Sequence, residues 1–295
     1  MKLLVTGANG LVGSHFVENY NGTLTLLCPS REELNITIER SIEHFFKLNK
    51  PEAIIHFAAF TDVSEAEKER NNKKAPCWII NVEGTANLVR AISYQPYFIY
   101  ISTDVVFSGS KDNPGPYGED HPVEENPNLL SWYGWTKAEA EKIVVNNLRN
   151  GTVVRIANPV RANYALKLDY VRKILQVFDN KELYPMFNDQ YLTLTYINDV
   201  TKSLKILLEK QLSGIYHISS NNIFTPFKLA NYLIEKARGK KDKVQPISIE
   251  NFLKENPSRY PHYGGLKVQK TQQILNLKFR NWEEVIDILA KQLSV

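Results

Sequence analysis

The sequence predicts an α/β protein: a doubly wound parallel sheet with helices on both faces, joined to a smaller, mostly helical lobe. Three observations carry that prediction. Short β-rich runs alternate with amphipathic helical patterns over roughly the first 157 of the 295 residues, and adjacent parallel strands need such crossover helices, which lie on the faces of the sheet. A glycine-rich turn follows the first of these runs directly. After Ile156 the alternation loosens into stretches that are mainly helical.

The elements follow from residue spacing. Lys2–Thr6 (KLLVT) is a short apolar run of buried-strand type, and Leu11, Val12, Phe16, Val17 and Tyr20 then recur at helical spacing. Residues 23–27 again suit a strand, and Ile42, Phe45, Phe46 and Leu48 form one stripe of a helix over 38–48, which Pro51 closes off. The run 53–57 (AIIHF) predicts a third strand, 79–92 a third amphipathic helix and 97–102 (YFIYIS) a fourth strand. Residues 108–128 are rich in Gly, Pro, Asn and Asp and predict a long loop. A helix over 133–145 and a strand over 152–156 follow. The tail predicts helices over 164–178, 200–209, Pro226–Arg238 and Trp282–Leu293, with strand-like Gly214–Ile218 between them.

Composition narrows the function. With 43% hydrophobic and 23% charged residues the chain is ordinary globular protein, neither disordered nor collagen-like. The net charge of +4 comes without a polybasic block, so a nucleic-acid partner is not expected; Lys240, Lys241 and Lys243 form the densest cluster and read as a solvated turn. No run reaches the ~18 apolar residues of a membrane span, and the N-terminal apolar run is too short for a signal peptide. The two cysteines, Cys28 and Cys77, and the six scattered histidines show no metal-ligand spacing. A reducing, cytoplasmic setting without a metal is the expectation. The oligomeric state stays open, a homodimer included.

The strand Lys2–Thr6 runs into TGANGLVG, placing Gly7, Gly10 and Gly13 at the mouth of a helix. Glycine there lets the backbone turn tightly and lets a pyrophosphate approach the N–H groups, while the helix N-terminus favours the anion. The context is that of a dinucleotide fingerprint. At the end of the second strand Ser30 and Arg31 arrive where an NAD site commonly places an acid. A hydroxyl beside a guanidinium suits a 2′-phosphate, so NADP(H) is favoured over NAD(H).

A second pattern carries chemistry. The fourth strand ends in Ser102-Thr103-Asp104, and thirty residues after Thr103 comes Tyr133-Gly-Trp-Thr-Lys137. On a helix the i, i+4 spacing puts the phenol and the ammonium on one face. A nearby cation favours phenolate, so the expectation is a lowered Tyr133 pKa and proton exchange with a substrate oxygen. Thr103 would polarise the carbonyl.

Taken in order, TGANGLVG, HFAAFTDVSEAE, NVEGT at 81–85, STDVVFSG and YGWTK resemble the extended short-chain dehydrogenase/reductases of the dTDP-4-dehydrorhamnose reductase type, which share the NAD(P)-binding Rossmann fold. The resemblance is strong over 1–157 and returns weakly in TYINDV, GIYHIS and the terminal region. It implies that hydride from NAD(P)H reduces the 4-keto group of a nucleotide-linked 6-deoxy sugar while the tyrosine protonates the new hydroxyl. By position, Gly10, Leu11 and Val12 would face the pyrophosphate, Asn35 and Ile36 the adenine side, and Ala58, Ala59 and Phe60 the length of the cofactor. Ser102 would also meet the cofactor. Lys137 would hold the ribose; Thr103, Asp104, Tyr133 and Asn158 would meet the sugar, and Arg259 a diphosphate.

Departures refine this. Related sugar-nucleotide dehydratases carry an acid where this chain has Val105, which cannot act as acid or base, so dehydration is disfavoured. Asn158 stands where the reductases often have an aromatic residue. Two alternatives share the resemblance: a nucleotide-sugar epimerase, and a non-catalytic subunit similar to the regulatory subunit of methionine adenosyltransferase. Residues 1–157 are expected to form the dinucleotide-binding domain, with 192–219 returning to it, and 158–191 with 220–295 the substrate lobe.

Overall fold

The computed structural model describes residues 2–92, 94–256 and 260–293. Six strands form one parallel sheet: β1 (Lys2–Thr6), β2 (Thr25–Leu27), β3 (Ala53–His56), β4 (Tyr97–Thr103), β5 (Gly151–Ile156) and, far along the chain, Gly214–Ile218. The spatial order runs β2-β1-β3-β4-β5 and ends with Gly214–Ile218. The doubly wound parallel sheet is as the sequence predicts.

Period-two alternation splits the sheet into two cores. Leu3 and Val5 of β1 enter one apolar cluster, with Tyr97, Ile99 and Ile101 of β4, whereas Leu4, Phe98 and Tyr100 enter the other. Helix α1 (Leu11–Glu18) covers the first face, and α2 (Glu39–Asn49) covers the second. Next come α3 (Val63–Lys68) and α4 (Pro76–Trp78), which runs through a π turn at Ile79–Glu83 into α5 (Gly84–Ala91). The helix expected over 79–92 therefore has a widened first turn. Helix α6 (Trp132–Asn147) starts at Ser131, whose hydroxyl accepts from the Gly134 N–H at 3.1 Å.

Beyond β5 the chain makes the two-residue strands β6 (Pro159–Val160), β7 (Met186–Phe187) and β8 (Thr195–Tyr196), separated by α7 (Tyr170–Asp179). Helix α8 (Ile197–Lys210) then packs on α1 and leads into β9, the Gly214–Ile218 strand of the main sheet. Helix α9 (Pro226–Arg238), strand β10 (Pro246–Ile247), α10 (Glu250–Glu255), α11 (Gln269–Leu275) and α12 (Trp282–Leu293) complete the chain. Apolar faces of α7, α9 and α12 meet in a third core around Leu229, Leu233, Ile286 and Leu289.

One prediction fails in an instructive way. The helix expected over 164–178 begins at Tyr170, because Asp169 caps it, its carboxylate accepting from the Arg172 N–H at 3.0 Å. Residues 161–169 instead form an irregular strap. The Arg172 guanidinium donates to the carbonyls of Tyr164 and, at 2.6 Å, Lys167, and pairs with Asp169 at 2.7 Å. Those bonds hold the strap's backbone open, as a non-helical arch.

Candidate active site

The strand order reverses at β1, since β2 lies on one side of it and β3 on the other. Such a switch point opens a crevice at the carboxyl ends of the strands. Here it is a cleft of about 730 Å³.

The glycine turn forms one wall. Gly7 has φ +68°, and a Cβ there would lie 2.6 Å from the Ala58 nitrogen; one on Gly13 would lie 2.4 Å from the Gly7 carbonyl oxygen. Both positions require glycine. Helix α1 starts at Gly10 with no side-chain cap and no acid in its first turn, so its leading N–H groups and dipole are available to an anion. These residues fit a dinucleotide pyrophosphate.

Most residues expected from the sequence come together. Gly7, Gly10, Leu11, Val12 and Gly13 line the cleft with Ala58 and Ala59. So do Ser30, Arg31, Asn35 and Ile36 at the end beyond β2. Ser102, Thr103, Asp104, Tyr133, Lys137 and Asn158 line the opposite part. Phe60 stands apart from its neighbours Ala59 and Thr61, which line the cleft: its ring packs with the cluster around Trp78 and Trp132. Arg259 lies outside the described residues.

The electrostatics also correct one expectation. Tyr133 is not shifted down; burial, followed by the charge of Asp104, pushes its pKa upward. Lys137 does not face the phenol as its partner. Its ammonium donates to the Ile101 carbonyl at 2.7 Å and sits 4.0 Å over the Tyr100 ring, and burial lowers its pKa to about 7. Tyr133 is therefore a protonated phenol at neutral pH, the form that donates. Asp104 is raised to about 6, mainly by burial, although the Thr103 hydroxyl donates to it at 3.2 Å.

A buried polar relay, missed in the sequence, joins the two walls. Thr85 donates to the Asn81 carbonyl at 2.7 Å, so its oxygen accepts from His56 Nε2 at 3.1 Å. His56 Nδ1 must then accept from Thr6 at 2.7 Å, and the Thr6 oxygen accepts from the Ala58 N–H at 3.3 Å. Burial holds His56 neutral, its pKa lowered to about 3. The Asn81 amide, 1% exposed, pairs with both backbone groups of Phe60 at 2.8 and 3.2 Å and donates to Thr136 at 2.9 Å. One side chain thus ties the loop after β3 to the turn of α6 that carries Lys137. The available signal was NVEGT, whose asparagine falls in the π turn, a common companion of functional sites.

Asn158 adopts φ +44°, a left-handed conformation that asparagine tolerates better than most residues. Its amide nitrogen donates to the Thr193 carbonyl at 3.1 Å.

Known proteins share this architecture. The dTDP-4-dehydrorhamnose reductase of Sinorhizobium fredii is 26% identical over 295 residues, covering 96% of this chain and 95% of its own. Methionine adenosyltransferase 2 subunit beta of Bos taurus is 29% identical over 267 residues, covering 84% and 75%. The crystal structure of dTDP-4-dehydrorhamnose reductase from Bacillus anthracis in complex with NADP superimposes with a TM-score of 0.83 at 26% identity, covering 98% of each chain. The sequence model of the RmlD substrate binding domain matches residues 1–295, end to end, and the chain belongs to that family.

Proposed function

We propose that this protein is an NADP(H)-dependent reductase of a nucleotide-linked 4-keto-6-deoxy sugar, acting as the dTDP-4-dehydrorhamnose reductases do. The observation that carries the reading is that one cleft holds both the glycine turn and Thr103, Tyr133 and Lys137. NADP(H) is favoured because Ser30 and Arg31 line the end of that cleft beyond β2. The low cysteine count supports a cytoplasmic setting, and no helix among the described residues is long and apolar enough to cross a membrane.

Gly7, Gly10 and Gly13 would hold the cofactor's pyrophosphate and Lys137 its ribose, and the bound dinucleotide would supply the hydride. The chain's own residues do the rest. Thr103, which donates to Asp104 here, would turn its hydroxyl to the substrate carbonyl, polarising it. Tyr133, held protonated by burial, donates its proton to the oxygen that gains negative charge. Lys137, held against the Ile101 carbonyl one turn along the same helix, adds its charge to the cleft without being the phenol's partner. Asn81 and the His56 relay keep the two walls in register, and Val105 leaves no side-chain acid or base beside Asp104 for eliminating water.

The test is stoichiometry. Wild-type protein given NADPH and dTDP-4-dehydrorhamnose should consume one NADPH for each sugar reduced. Sugar conversion without net NADPH consumption would assign epimerisation instead, and no conversion across a panel of keto sugars would favour a binding subunit.

A further inference from the structure

The strap over 161–169 spans the cleft, and its anchoring differs from one end to the other. At its start, Arg161 donates to the Leu11 carbonyl at 3.2 Å and to the Ser14 hydroxyl at 3.0 Å, and pairs with Glu18 at 2.8 Å. The Tyr164 hydroxyl donates to the Asn9 carbonyl at 2.7 Å, in the glycine turn itself. Three residues on, the Lys167 backbone is fixed by Arg172, but its ammonium reaches only the Thr61 hydroxyl, at 3.5 Å, on the facing wall. Lys167 makes no ion pair with any described residue, and it lines the cleft. A fixed backbone carrying an uncommitted cation at the rim is an anion receptor that costs little to organise.

We propose that Lys167 binds the diphosphate of the nucleotide-sugar substrate. This rests on the reductase reading above. That reading brings two diphosphates into one cleft. The cofactor's is served by the N-terminus of α1, so the second needs its own donor. Of the other described cations that line the cleft, Lys137 is committed to the Ile101 carbonyl, and Arg31 stands beyond β2 at the other end. The strap follows β6 directly, and Asn158 and Pro159 at the start of that strand line the cleft with Thr103 and Tyr133. A sugar held there would project its diphosphate along the strap. The nearest acid on the strap, Asp169, is already neutralised by Arg172 and does not compete for the ammonium.

The experiment titrates dTDP into protein saturated with NADP+, so that the cofactor site is filled, and compares wild type with Lys167→Ala and Lys167→Arg. The alanine variant should bind dTDP about tenfold more weakly, as expected for one charge-assisted contact. Arginine should restore binding, NADP+ affinity should be unchanged in both, and the loss should shrink at high salt. Equal dTDP affinity in wild type and Lys167→Ala, with the wild type active on a dTDP-4-keto sugar, overturns the inference and leaves the reductase reading standing. Weakened NADP+ binding with unchanged dTDP binding also overturns it, by assigning the lysine to the cofactor's diphosphate. A wild-type protein that neither binds dTDP nor reduces such a sugar overturns both.

Discussion

Two buried charges meet α6 one turn apart, and they are treated in opposite ways. Lys137 enters the cleft with a carbonyl and an aromatic ring for company, and burial lowers its pKa to about 7. One turn on, Glu141 makes three bonds of 2.7 to 3.2 Å with Arg155 of β5, whose guanidinium also contacts His217 at 3.2 Å. The second arrangement satisfies its charges and locks helix to sheet; the first leaves a charge underpaired where chemistry needs one. Underpaired burial is the mark of function here, and full pairing the mark of structure.

The largest expected effect falls on the cleft side of that contrast. Tyr133→Phe removes the proton donor and should lower kcat about a thousandfold without a fall in thermal midpoint; a loss under tenfold would mean that another group donates. Asn81→Ala reaches the same chemistry through positioning. It should lower kcat on the order of tenfold to a hundredfold, and it should leave the pH dependence of the rate unmoved. Arg31→Ala acts at the far end, raising the NADPH KM by about tenfold with NADH unaffected; equal changes for both cofactors would remove the 2′-phosphate assignment.

The smallest effect concerns Asp104, whose folded pKa of about 6 exceeds the ordinary 3.8. Between about pH 4 and 6 the folded protein keeps a proton that the unfolded chain releases. That contribution to stability is full below pH 4 and is lost as the pH rises through 6. Urea midpoints of Asp104→Asn should be flatter over this window than those of the wild type. Identical profiles would show that Asp104 does not titrate there.

The sheet was legible because β1 and β4 alternate their apolar residues between two cores, and the glycine turn was legible because no other residue fits at Gly7 or Gly13. The strap was not. Its apolar spacing suited a helix start, and what opens it is the Arg172 guanidinium reaching back to two carbonyls, a contact that periodicity does not encode. The roles around Tyr133 were half legible: its spacing to Lys137 predicts a shared face, but not that the ammonium turns to Ile101 instead. Nor does spacing encode that Asn81 holds the Phe60 backbone while its ring packs on the tryptophan cluster.

The contrast between the two charges is tested most directly by measuring kcat and urea unfolding together for Lys137→Met and Arg155→Met. Lys137→Met should lower kcat at least a hundredfold while stability changes by no more than about 1 kcal/mol, since the change removes an underpaired buried charge. Arg155→Met strands Glu141 in the core and should cost about 3 kcal/mol or more, with kcat largely kept in the molecules that remain folded. The opposite pattern, or equal losses on both axes in both variants, would contradict the division of labour along α6.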